Sequence, residues 1–182
     1  AGTYHQNVCS KTKYSLEQVP VGSLFICDAD GSNNVQLTRF AKSVNNARWS
    51  KDGNSIYFLQ DGQLWKAPYK NGKLGRKTAV TDVAEGVSDY KISPDETQLI
   101  YVSSIHGPVS APKDAYPDLD KANAYVTDQL MYRHWDHWVT ETPRSYVATL
   151  VNGMITPENS VDILGEEPYE LPTEPFGGAE QL

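Results

Sequence analysis

Apolar and polar positions alternate along this chain in short bursts, not in long helical stripes. Leu24, Phe25, Ile26 and Cys27 read as a strand, and the polar stretch 28–31 as a turn. A second strand follows at 35–38. Trp49 then leads into Ser50, Lys51, Asp52 and Gly53, which carry the chemistry of a hairpin turn: Ser and Asp bond nearby backbone and Gly supplies positive φ. Residues 56–59 (Ile56, Tyr57, Phe58, Leu59) form a nearly continuous apolar run, the pattern of a strand buried on both faces. Asp61 and Gly62 turn the chain into a further strand over 63–67.

This arrangement recurs. Leu37 and Thr38, the turn 50–53 and the run 55–59 match Val80 and Thr81, the turn 93–96 and the run 98–102 at a constant offset of 43 residues. Residues 22–25 and 62–65 match at an offset of 40, which places an insertion or deletion in the loop between them. A period of about 40–45 residues made of short strands predicts the four-stranded blades of a β-propeller. The expected fold class is therefore all-β, a partial propeller with repeat units over 22–61 and 62–103. One such unit cannot bury both faces alone, and a closed ring needs about 170–340 residues at this period.

Beyond residue 103 the pattern breaks. A Pro-containing polar loop leads to Pro117 and Asp118, read as a helix start with Asp118 as cap. Leu119, Ala122, Val126, Leu130 and Arg133 fall at helical spacing, which predicts an amphipathic helix over 119–132 inside an insertion spanning 104–138. A strand over 146–151, a turn at Asn152 and Gly153, and a tail over 163–175 with four Glu and three Pro read as a degenerate blade over 139–182.

The 182 residues carry 16 Lys+Arg against 23 Asp+Glu, a net charge of −7. That balance offers no basic stripe for phosphates, so neither nucleic acid nor an anionic membrane surface is an expected partner. No apolar run approaches 18 residues, so no helical membrane span is expected. Cys9 and Cys27 admit two readings, a disulfide suited to an exported protein or two unpaired thiols with Cys27 buried in its strand. The first residues show neither the basic nor the apolar region of a signal peptide, and both ends read as cut from a longer chain.

The densest polar and aromatic cluster is Arg133, His134, Trp135, Asp136, His137 and Trp138. It can line a substrate path, with Trp135 and Trp138 supplying apolar surface and Arg133 or Asp136 fixing a charged substrate end. It can instead be structural, an Arg133–Asp136 ion pair locking the insertion down over Trp135 and Trp138, and the structural reading carries more weight. His134 and His137 would share a helical face, but no third ligand is evident, so no metal or other cofactor is expected. The stretch 28–32 has calcium-loop character, yet its Gly comes too early and no closing Glu follows, so it reads as a turn. Glu166 and Glu167 could attract a free amino terminus, but between Gly165 and Pro168 they read as a solvated loop. The chain holds no Gly-x-Ser-x-Gly elbow and no phosphate-binding Gly-rich loop, and hydrolytic activity is not expected of it alone.

The repeats at 49–58 and 92–101 resemble the Ser-Pro-Asp-Gly blade motif of TolB-like propellers, with Lys51 standing where Pro is usual and Glu96 where Gly is usual. The segment 130–138 is similar to the Arg-His-Trp-Asp-x-Trp sequence after a helix in propellers of the prolyl oligopeptidase family of serine peptidases, especially its exported dipeptidyl- and acylaminoacyl-peptidase members. The resemblance implies a propeller that sits over a C-terminal α/β-hydrolase domain and restricts access to short peptides. It implies no catalytic residue here, since no triad position matches. It implies a secreted or periplasmic parent. Two other classes compete: a TolB-like module that only binds proteins, and a sugar binder using Trp65, Trp135 and Trp138 as stacking platforms. A propeller fragment would also expose strand edges and is expected to self-associate.

Overall fold

The computed structural model describes the backbone of residues 3–7 and, beyond them, residues 21–122 and 124–182. Cys9 lies outside the described residues, while Cys27 is buried. The described residues form three successive antiparallel sheets and a separate two-stranded hairpin. In the first, β2 (Ser23–Cys27) pairs with β1 (Thr3–Asn7) on one side and β3 (Val35–Gln36) on the other. The second is a meander of β4 (Val44–Trp49), β5 (Ser55–Gln60) and β6 (Gln63–Lys70). A short β7 (Lys73–Leu74) folds back on the end of β6, and β8 (Thr78–Ala79) completes its edge. The third starts with β9 (Asp89–Ile92) and β10 (Gln98–His106). An insertion carrying α1 (Pro112–Ala115), β11 (Arg133–His134) and β12 (His137–Trp138) intervenes before β13 (Glu141–Thr149) and β14 (Ser160–Asp162) close the sheet.

The turns follow from their residues. Asp61 and Gly62 both take positive φ, +57° and +68°, as do Asn71 and Gly72 at +51° and +76°. Such pairs match the twist of the flanking strands and close two-residue hairpins. At the β4–β5 turn the Ser50 hydroxyl donates to the Asp52 carboxylate at 2.6 Å and accepts the Ser55 N–H at 2.9 Å. Ser93 repeats both bonds with Asp95 and Gln98, at 2.6 and 3.0 Å.

The repeat therefore extends to individual hydrogen bonds. The Thr38 hydroxyl accepts the Leu24 N–H at 2.9 Å, and the Thr81 hydroxyl accepts that of Leu64 at 2.8 Å. Gly22 O accepts from Val44 N–H at 2.9 Å, and Gly62 O from Val87 N–H at 2.7 Å. These last bonds tie the entry of each sheet to the preceding sheet. The units read from the sequence are accordingly out of phase with the sheets: 22–61 holds β2 and β3 of the first sheet and β4 and β5 of the second.

Strand β5 shows how the sheets stack. Its side chains alternate, so Ile56 and Phe58 join Leu24, Val44, Ala47 and Ala67 in the core against the first sheet. Tyr57 and Leu59 join Leu64, Val80, Tyr90 and Leu99 in the core against the third. Burying a side chain of this size contributes about 1.5–3 kcal/mol. A bulge in β4 turns Asn46 to φ +46° and points its amide at the Asp89 carboxylate of the next sheet, while the Tyr90 hydroxyl donates to Asn46 O at 2.8 Å. Three consecutive sheets stacked face to face constitute a partial β-propeller.

Two expectations need correction. Residues 119–132 are not a helix. The insertion has one turn of α-helix at Pro112–Ala115, where the Asp114 carboxylate accepts the Ala111 N–H at 2.9 Å, and a 3-10 turn at Pro117–Leu119 that contains Asp118 instead of being capped by it. The apolar stripe has nothing to pack on: Leu119 is 45% exposed, Val126 48% and Leu130 92%. Without tertiary packing a helix this short is marginal, and Tyr125, Val126 and Thr127 favour extended backbone. Val126 instead bridges Ser110, and the Thr127 hydroxyl accepts the Gln129 N–H at 3.1 Å. Nor do residues 139–182 make a blade of their own. They supply β13 and β14 to the third sheet, because β10 pairs β13 over nine residues and the inserted segment is confined to 107–140.

Candidate functional site

The cluster at 133–138 is a two-stranded hairpin at the end of the insertion. Arg133 pairs with Trp138 and His134 with His137. Trp135, at φ +47°, and Asp136 form the turn. Within the insertion the hairpin is tied down through Val139, whose N–H donates to Tyr132 O at 2.9 Å and whose carbonyl accepts from Val109 N–H at 3.2 Å. Val109 and Val139 are both buried beneath it.

Trp138 is the centre of an aromatic stack. Tyr125 lies 4.7 Å from it at 27° and Tyr132 5.9 Å from it at 26°. The Arg133 guanidinium sits 5.4 Å from its ring centroid, in cation–π range. Trp135 projects outward, 71% exposed, and meets Phe176 of the tail edge to face at 5.2 Å. The expected Arg133–Asp136 ion pair is not formed. Asp136 bonds the His137 ring at 2.5 Å, and that hydrogen bond is the main reason its carboxyl lies below the ordinary value. On a hairpin the cross-strand neighbour of Arg133 is Trp138, so the guanidinium covers the ring. His134 and His137 face each other across the hairpin instead of lying one helical turn apart, and no group of three metal-ligating side chains occurs among the described residues.

Between the hairpin and the tail runs a cleft of about 550 Å³ walled by Pro108, Met131, His134, Val139, Tyr169 and Glu170. Its tail side is built around Arg144, a residue the sequence reading passed over. Its side chain is 4% exposed. Its Nε donates to Asp162 at 2.9 Å, and its terminal nitrogens donate to the carbonyls of Gly165, Glu167 and Tyr169, each at 2.7 Å. The Ser145 hydroxyl adds a bond to Leu171 O at 2.9 Å. Arg144 thus winds the tail loop around one side chain, with Glu166 and Glu167 on its exposed outer side. No local pattern marks Arg144, because its partners lie 18 to 25 residues further along the chain.

The cleft has apolar walls with an imidazole and a carboxylate on opposite sides, which suits holding an extended polar-backbone ligand. Trp65 stands apart from this site. It packs in the core between the first two sheets, its Nε1 donates to Gln60 O at 3.0 Å, and Lys77 lies 3.7 Å over its ring, so it makes no stacking platform with Trp135 and Trp138. The 28–33 loop is a turn: Gly31 N–H donates to Asp28 O at 2.9 Å and the Asn33 amide to the Asp28 carboxylate at 2.6 Å. No helix among the described residues is long and apolar enough to cross a membrane.

Fold and insertion together define the class: a stretch of β-propeller whose third sheet carries an elaborated loop between its second and third strands. Over 160 residues, 87% of its length, the chain is 35% identical to dipeptidyl-peptidase 5 of Porphyromonas gingivalis. It is 35% identical over 154 residues to dipeptidyl-peptidase 5 of Porphyromonas endodontalis, and 22% identical over 171 residues to that of Schizosaccharomyces pombe. The chain spans about a quarter of the length of these relatives, 23%, 22% and 23%. Among solved structures, the crystal structure of the tricorn protease is matched over 74% of this chain and 10% of that one, with a TM-score of 0.42 and 12% identity. No family model matches the chain. The similarity to the dipeptidyl-peptidases fits a propeller fragment of a peptidase.

Proposed function

We propose that the chain is the non-catalytic propeller portion of an exported, secreted or periplasmic, serine peptidase of the prolyl oligopeptidase family, and that it gates peptide access to a C-terminal α/β-hydrolase domain. The observation that carries this reading is the 35% identity to a dipeptidyl-peptidase of which the chain spans only 23%. The hairpin residues Arg133, His134, Trp135, Asp136 and Trp138 are proposed to line the substrate path, with the cleft against the tail as the contact for an extended peptide.

The test is made in the parent enzyme. Replacing 107–140 by a two-residue turn should leave turnover of a small chromogenic ester intact while changing the preference between short and long peptides. Unchanged selectivity in a folded, active enzyme would remove the gating role. The exposed Trp135 and the 92% exposed Leu130 favour a second reading, a TolB-like module that binds another protein. A downstream Gly-x-Ser-x-Gly elbow in the same reading frame supports the peptidase, and its absence supports the binding module.

A further inference from the structure

The tail that walls the cleft beside the hairpin is one-sided in charge: residues 163–182 hold five Glu and no Lys or Arg. Of these Glu residues, Glu170 lines the cleft. Its backbone is fixed on both sides. The Tyr169 carbonyl accepts from the Arg144 guanidinium at 2.7 Å, the Leu171 N–H donates to Pro143 O at 3.1 Å, and the Leu171 carbonyl accepts the Ser145 hydroxyl at 2.9 Å. The side chain is fixed as well, because Oε1 of its carboxylate accepts the Glu174 N–H at 2.9 Å.

This carboxylate has no counter-charge among the described residues: no ion pair they form involves Glu170. The arginines of the adjoining elements are engaged elsewhere, Arg144 with Asp162 and the loop carbonyls and Arg133 over the Trp138 ring. The rest of the lining includes Met131, the buried Val139 and the Tyr169 ring. A carboxylate held in place beside apolar surface suits a cation on an alkyl stem, since the stem covers the apolar wall while the charged head reaches the carboxylate. Apolar walls strengthen the attraction, and a carboxylate that is already positioned costs the ligand no ordering.

We propose that the cleft is a subsite for a basic side chain, a lysine or arginine of the bound peptide, whose stem lies against Met131, Val139 and Tyr169 and whose cation pairs with Glu170. The inference rests on the reading of the cleft as a peptide contact and adds the side-chain class that it selects. Glu170 is then the residue that sets specificity there.

Methyl nuclear magnetic resonance on the full 182-residue chain tests it, because the chain has two methionines. Met131 lines the cleft, whereas Met154 sits in the turn after β13, outside the lining. N-acetyl-L-lysinamide should shift the Met131 methyl saturably and leave that of Met154 in place, with a Kd on the order of millimolar for a ligand this small. N-acetyl-L-norleucinamide carries the same stem without the charge, and L-norleucinamide carries the charge on the main-chain amine instead. Both should bind about threefold to tenfold more weakly than the lysine probe, the range of a charge-assisted bond partly open to water. Glu170→Gln keeps an oxygen that can accept the Glu174 N–H, and should abolish the difference between the lysine and N-acetyl-norleucine probes. Equal affinity of the two acetylated probes, a free-amine probe that matches the lysine one, or a lysine preference undiminished in Glu170→Gln overturns the inference and leaves the cleft as a peptide contact. Absence of saturable Met131 shifts with every probe overturns it together with that reading. Should Glu170→Gln fail to fold, the ranking of the three probes on the wild-type chain decides.

Discussion

Glu96 stands at φ +58°, a conformation that side chains other than Gly avoid, and the equivalent position one repeat earlier is Gly53 at φ +69°. Replacing Glu96 by Gly therefore sets two effects against each other. Relief of the left-handed backbone is worth about 1–2 kcal/mol. Against it stand a hydrogen bond from the Lys51 N–H to a charged acceptor, about 1.5–3 kcal/mol, and that of the Tyr57 hydroxyl, about 1 kcal/mol. The Lys66 pair, long at 3.4 Å and open to water, adds under about 1 kcal/mol. The balance predicts that Glu96→Gly destabilises the chain by about 0.5–4 kcal/mol, or about 1–16 °C in Tm at this chain length. Burial pushes the Glu96 carboxyl up, but the Lys51 N–H, the Tyr57 hydroxyl and Lys66 outweigh it and hold it below its usual 4.5. A carboxylate depressed in the folded state stabilises fully above its unfolded value and loses that contribution as pH falls through its folded one. The gap between wild type and Glu96→Gly should therefore be full at neutral pH and close progressively below about pH 4.5. Urea unfolding followed by tryptophan fluorescence across pH 3–7 measures this. A Gly variant as stable as wild type at pH 7 would show that backbone relief offsets the cross-sheet bridge, and a gap that persists at pH 3 would show that the advantage does not come from the ionised carboxylate.

Three further outcomes are expected. Arg144→Met leaves the acceptors of the tail loop unpaired and should cost about 3 kcal/mol, with new protease cleavage within 163–171 preceding global unfolding; resistance equal to wild type would mean the loop holds itself. Asp52 and Asp95, held down chiefly by the Ser50 and Ser93 hydroxyls, should both titrate near about 2 by carboxyl-carbon resonance, and Ser50→Ala should return Asp52 toward 3.8 while Asp95 stays. The outer strands expose apolar side chains, Val35 at 49% and Val161 at 67%, so sedimentation velocity should show concentration-dependent association; one monomeric boundary at all concentrations would contradict it.

The elements legible in the sequence were those whose chemistry is local. The Ser-x-Asp turns, the Asp61 and Gly62 hairpin and the double-sided burial of β5 each need only a few neighbouring residues to declare themselves. The helix over 119–132 was misread because period alone does not say whether a stripe has a surface to pack on. The hairpin at 133–138 was legible as a cluster but not as a shape, since the Arg133–Trp138 pairing depends on which backbone the segment adopts. The roles of Arg144 and Glu96 were hidden for another reason. Their partners lie in other strands or on the neighbouring sheet, and a residue such as Glu96, which departs from the repeat, looks like drift until the sheets are stacked.

The insertion leaves β10 at His106 and re-enters β13 at Glu141, two residues that face each other as the last rung of the ladder. Its ends are therefore fixed at a spacing that does not depend on what lies between them. Doubling such an excursion adds only about 0.6 kcal/mol of closure entropy, and shortening it leaves the rungs below intact. The register of the ladder is thus set independently of the length of 107–140, and a longer or shorter excursion between these two rungs leaves every strand pair below them in place.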